Sequence, residues 1–170
     1  MKNGLYGILT LALFAALTAQ FCVKPPDYPK EPVIEFKSLS KSTLRQTNLI
    51  PNNPDSIVVT FSYTDGDGDL GYPDDDPTTS VLFRDARDQF PSERKLPYVD
   101  PQGAGNGISG EISVVLPTTC CIHVNDEGTK TACLSVPVNT DTLVYLISIR
   151  DRAGHVSNEI KTTPIVLICK

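Results

Sequence analysis

The sequence predicts an all-β fold, an antiparallel β-sandwich standing behind a cleaved export signal. Three observations carry that expectation. Short runs of alternating or β-branched residues recur at intervals of roughly 8–15 residues. No long helical period or internal repeat stands out. The 14 prolines and 11 glycines are spread along all 170 residues, as turns between short strands require.

The strands read in order as follows. Residues 33–39 (VIEFKSL) alternate and form a first strand, and Asn52-Asn53-Pro54-Asp55 is a turn signal. Residues 57–63 (IVVTFSY) are rich in β-branched and aromatic types, which suit a pleated surface. Residues 80–84 give a third, weaker strand. Residues 85–107 are polar and turn-rich, and PQGAGNG at 101–107 predicts a mobile loop. Alternation resumes over 108–116, with Ile112, Val114 and Leu116 on one face. A cysteine-flanked hairpin follows, turning at Asn125-Asp126-Glu127-Gly128. Residues 142–149 (TLVYLISI) and 159–168 (EIKTTPIVLI) are the strongest late strands. Helix should be minor.

The N-terminus predicts export. Lys2 is the only charge before an uncharged run from Gly4 to Ala19, dense in Leu and Ala. Such a run is a signal-peptide core, short of the ~20 apolar residues a membrane span needs. Cys22 stands just after it, where a bacterial lipoprotein carries its lipidated cysteine. Phe21 is bulkier than the residue usual before such a cysteine, and cleavage after Ala19 is the competing reading. The stretch VKPPDYPKEP holds four prolines and reads as an extended tether. Removing Cys22 from the five cysteines leaves an even set of four. The expected organisation is a signal peptide over 1–21, a tether over 22–32 and a β-sandwich domain over 33–170.

Cleavage before Cys22 leaves 149 residues, enough for one domain with a core, and shifts the formal charge from −5 to −6. That acidic balance argues against nucleic acid, whose binders present a basic face. Outside the cytoplasm Cys120, Cys121, Cys133 and Cys169 are expected to form disulfides. Cys133 returns beside Cys120 or Cys121 across the hairpin, leaving Cys169 for the other, and three connectivities stay open. A zinc site from Cys120, Cys121, His123 and Cys133 is the rival, disfavoured by the oxidising compartment.

The tether CVKPPDYPKEPVIEF, the segment FSYTDGDGDLG and the closing DRAGHVSNEI resemble uncharacterised surface lipoproteins of Bacteroidota with immunoglobulin-like sandwich folds. The resemblance spans nearly the whole mature chain. It implies an immunoglobulin-like antiparallel β-sandwich held at the outer membrane by a multiply acylated cysteine, and it brings no catalytic residues.

The sharpest chemical feature is Asp65-Gly66-Asp67-Gly68-Asp69-Leu70-Gly71. Three carboxylates at alternate positions, spaced by glycines, can curl around a hard cation such as calcium. The spacing resembles the start of an EF-hand loop, with Asp76 at the last ligand position. Leu70 stands where that loop needs glycine, however, and no helices flank it. In an immunoglobulin-like sandwich the loop after the second strand and the loop before the last lie at one end. Asp151 is therefore expected to join Asp65, Asp67 and Asp69, so that calcium clips two sheets together. The competing reading is a solvated acidic turn, neutralised by Arg150 or Arg152.

Catalysis is not expected. The two histidines, His123 and His155, accompany no nucleophile elbow. The glycines at 103–107 precede a strand, so no helix N-terminus is there to hold phosphate. Clustered carboxylates on one loop do not give the two separated acids of a glycosidase. The expected role is a non-catalytic binding or adhesion module with an exposed patch using Tyr72, Phe83, Phe90 and Tyr98. The alternative is a structural accessory subunit of an envelope complex.

Overall fold

The structure, a computed structural model, describes residues 27–47, 54–100, 107–133 and 138–169. The segment predicted as a signal, Cys22, Asn52, Asn53 and the predicted loop at 101–106 lie outside the described residues. Twelve strands and no helix occur among the described residues: β1 (Val33–Leu39), β2 (Thr43–Arg45), β3 (Ser56–Asp65), β4 (Val81–Asp85), β5 (Pro91–Arg94), β6 (Ile108–Pro117), β7 (Ile122–Val124), β8 (Lys130–Ala132), β9 (Thr140–Leu143), β10 (Tyr145–Ile149), β11 (Ile160–Lys161) and β12 (Ile165–Ile168). The all-β expectation holds.

The first sheet runs β1-β3-β6, all antiparallel. Its centre is β3, whose strict alternation sends Ile57, Val59, Phe61, Tyr63 and Asp65 inward. That period-2 pattern is what a half-buried strand dictates. β3 pairs with β6 without a break from Ser56↔Pro117 to Asp65↔Ile108. The expected face of β6 is the buried one, with Ile112, Val114 and Leu116 turned inward.

A second sheet runs β11-β10-β4-β5, and a third runs β2-β12-β9. The two share a chain path, because the late segments predicted as single strands each divide. Residues 142–149 break at Val144, whose carbonyl accepts the Ala86 N–H at 2.9 Å instead of a ladder partner. Residues 159–168 break at 162–164, where Pro164 has no N–H to give. Thr162 spans the gap: its N–H donates to the Tyr145 carbonyl at 3.0 Å, and its Oγ1 accepts the Tyr145 N–H at 3.0 Å. The pairing of β2 with β12 is parallel.

The buried side chains of all three sheets meet in one cluster that includes Phe61, Leu44, Ile147, Leu116 and Leu167. Tyr145 packs edge-on against Phe83 at 5.7 Å and donates its hydroxyl to the Pro117 carbonyl at 2.5 Å, tying the second sheet to the end of β6.

The cysteine hairpin is β7-β8. Cys120 bonds Cys133 across its base, with Cα atoms 4.7 Å apart, and Cys121 bonds Cys169 beyond β12, with Cα atoms 5.8 Å apart. The connectivity left open by the sequence is thereby assigned, and the thiols of the rival zinc reading are occupied. Arg87 anchors the hairpin from the side. Its guanidinium pairs with Asp85 and Asp141 and donates to the Cys120 carbonyl at 3.0 Å. Asp141 in turn accepts the Ile122 N–H at 2.9 Å.

Candidate metal centre

Asp65 is the last residue of β3, and the alternation of that strand turns its side chain inward, where it is fully buried. The chain then has to turn in very little space. At Gly66 a Cβ would lie 2.3 Å from the Tyr28 carbonyl oxygen, so only glycine fits there. The Gly66 N–H donates to the Pro29 carbonyl at 2.8 Å. Gly68 takes a left-handed φ of 70°, which curls the loop back so that the Asp69 N–H donates to Asp65 Oδ2 at 3.0 Å.

Asp151 arrives from the second sheet, just after β10, and is also fully buried. Its Oδ1 accepts the His155 N–H at 2.7 Å, and its Oδ2 lies 2.7 Å from His155 Nδ1. One carboxylate oxygen from each of Asp65, Asp67, Asp69 and Asp151 falls within 4.8 Å of the other three. A second group of the same spread consists of Asp67, Asp151 and His155. The expected approach of Asp151 to the aspartate loop is therefore present, and it joins the end of β3 to the end of β10.

Asp76 is not brought to the cluster. After the buried Leu70 the chain is drawn toward the 95–99 segment, where the Val99 N–H donates to the Leu70 carbonyl at 3.1 Å. A separate turn then forms, with the Asp76 N–H on the Pro73 carbonyl and Asp76 Oδ1 accepting the Thr78 N–H at 2.8 Å. Lys95 holds that turn by donating to the carbonyls of Pro73 and Asp76. The EF-hand spacing failed because it presumes a loop that keeps curling, whereas Leu70 leaves it for the core.

His155 takes part, a residue the sequence singled out only as a histidine without a nucleophile elbow. The signal was there, as an Asp and a His four positions apart across Gly154, whose φ of 97° closes the turn. Arg152 offsets the acidic group only in part, its positive charge acting to lower Asp69. Its guanidinium donates to the carbonyls of Leu70 at 3.1 Å and Gly71 at 2.8 Å, and lies 5.2 Å over the Tyr98 ring. Among the expected patch residues, Phe83 is a core side chain at 6% exposure, while Phe90 at 69% and Tyr98 at 42% remain exposed.

The electrostatics record the strain of the grouping. Burial pushes the Asp65 carboxyl up to about 6, and the neighbouring charges of Asp67, Asp69 and Asp151 push the same way. Asp69 is raised by burial and then by Asp151 and Asp67. His155 is raised chiefly by its hydrogen bond to Asp151. Two oxygens stand out: Asp65 Oδ1 and Asp69 Oδ1 are buried with no hydrogen-bond partner. A buried polar atom left unpaired is costly, the more so on a charged group. A hard cation with oxygen ligands satisfies such a set, and calcium takes six to eight oxygens in flexible geometry. Asp67 is exposed, so the remaining positions around an ion would open to water on its side.

Comparison with protein-family models, with curated proteins and with solved structures returned no match.

Proposed function

We propose that this chain is an exported, lipid-anchored, non-catalytic module of the cell envelope, an immunoglobulin-like β-sandwich with one end closed by a bound calcium ion. The observation that carries the calcium reading is Asp65, fully buried yet with one carboxylate oxygen unpartnered among three other carboxylates. Folding three further acids against a buried carboxylate is unfavourable unless a positive charge joins them. An ion at this point would link the end of β3 in one sheet to the end of β10 in another. The role that follows is architectural, because the ligands close one end of the fold and leave other surfaces free for a protein or glycan partner. The lipid anchor rests on Cys22 directly after the hydrophobic segment and on the proline-rich tether behind it.

Thermal melts of the mature chain in millimolar calcium and in chelator test this reading. With a dissociation constant of ~0.1 mM, as in extracellular modules, a ~50-fold excess stabilises by roughly 2 kcal/mol. The midpoint should rise by about 4–8 °C, and Asp67→Ala should erase the rise. Superimposable melts would leave the loop an acidic turn.

A further inference from the structure

The aspartate loop grips a second segment besides the cation ligands. Tyr28 and Pro29, the last part of the tether before β1, lie directly over Gly66: their carbonyl oxygens would stand 2.3 and 2.6 Å from a Cβ there. Pro29 accepts the Gly66 N–H, and the half-buried Tyr28 ring lies against Gly107, where a Cβ would meet Tyr28 Cδ2 at 2.7 Å. Gly66 is flanked on both sides by candidate ligands, Asp65 and Asp67. The peptide that holds the tether is thus the one that an ion would hold still.

We propose that the cation seats the tether: filling the acidic site fixes the Gly66 peptide and clamps residues 28–31 onto the end of the fold, and emptying it releases them. The inference rests on the cation reading above, but it adds a consequence that reading does not contain. The three carboxylates of the turn and Asp151 repel one another when no ion is present, and relaxation of the backbone between Asp65 and Asp67 would move Gly66. In the structure the Gly66 N–H points at the Pro29 carbonyl and Gly66 and Gly107 leave the shallow bed that Tyr28 occupies, the arrangement an ion would hold in place. The coupling is reciprocal by thermodynamic necessity, so a seated tether tightens cation binding by the same factor. At the cell surface this would set how the domain stands on its anchor: upright and fixed with calcium, freely pivoting without it.

The test uses the mature chain as it is purified after export. Calcium affinity is measured by isothermal titration calorimetry, and trypsin cleavage after the exposed Lys30 is timed by mass spectrometry, with cleavage after Lys130 in the remote β7-β8 hairpin as the internal reference. Calcium should slow cleavage at Lys30 by about 10-fold, within the usual range of such couplings, and leave Lys130 unchanged. Tyr28→Ala, which removes the ring from its bed, should weaken calcium binding by about 5-fold. If calcium binds but Lys30 is cut equally fast with and without it, the seating inference fails and the cation site stands. If no calcium binds, both fail. Protection of Lys30 that persists in Asp67→Ala would also overturn it, because the site would then not be its source.

Discussion

At Asp65 the local sequence and the tertiary fold pull in opposite directions. Strand alternation places a carboxyl where a core residue belongs, and the loop then surrounds it with like charges. The sign of the consequence follows from linkage. A carboxyl held near 6 when folded, against about 3.9 unfolded, binds its proton more readily in the native state. This group therefore favours folding below its unfolded value, and that advantage is lost as pH rises from about 4 to about 6. In chelator, the protein should be more stable near pH 5 than near pH 7, with Asp65 responsible for a difference on the order of 1 kcal/mol. Asp65→Asn should flatten this dependence in urea titrations and abolish any calcium response. An unchanged pH profile in that variant would mean Asp65 is not the group responsible.

The same scale shows what the residues disclosed in advance. Asp65, Asp67 and Asp69 were legible from their spacing, and Asp151 from the topology expected of the sheets. Asp76 was misplaced because loop spacing says nothing about where the next core residue, Leu70, pulls the chain. His155 was passed over because its partner is made by a turn, and turn geometry is only weakly written in side-chain pattern.

Among the elements, β3 could be read because it alternates over all ten residues, β6 because it alternates over Ile112–Leu116, and β1 because it alternates over 33–37 before its register shifts between Phe36 and Ser38. β2 and β5 could not. The first is three residues with Leu44 its single buried side chain, and the second, PSER, has none buried. Such strands are called into being by the neighbour they pair with rather than by their own pattern. The division of the late segments was hidden for a related reason, since apolar runs continue across the gaps. Thr162 is the residue that makes the division tolerable. Thr162→Val keeps the shape but orphans the buried Tyr145 N–H, and should cost about 1–2 kcal/mol. Thr60→Val, which loses only the exposed hydroxyl pair with Ser113, should cost less than half of that. Equal losses in urea denaturation would show that the Thr162 bridge contributes nothing special.

Over the whole molecule, the disulfides order the stability. Cys121–Cys169 has a sequence separation of 48 and is buried, while Cys120–Cys133 has a separation of 13 and is partly exposed. Chain entropy alone assigns the longer closure about 4 kcal/mol and the shorter about 3. Replacing Cys121 and Cys169 by alanine should accordingly destabilise more than replacing Cys120 and Cys133. Mild reductant without denaturant should open the hairpin bond first, as thiol trapping and mass mapping would reveal. Opening in the reverse order would contradict the burial of Cys121 and Cys169.

The Cys121–Cys169 bond also governs how the protein answers a pull. Traction between the segment before β1 and the carboxyl end enters the fold at Val33, passes through the sheets, and reaches Cys121, where the load crosses the sulfur bridge to Cys169. Once the pairings of β4 with β10 and β2 with β12 have parted, everything between those two cysteines carries no tension while the bond is intact. Stretched fully from Val33, the chain would then lengthen to roughly 320 Å rather than the roughly 490 Å reached with both disulfides open, at about 3.6 Å per residue. β7 to β12, with the hairpin among them, thus ride as slack cargo behind a covalent shunt, and once the fold is drawn out a tug would be borne by the chain before Cys121, about two-thirds of its length.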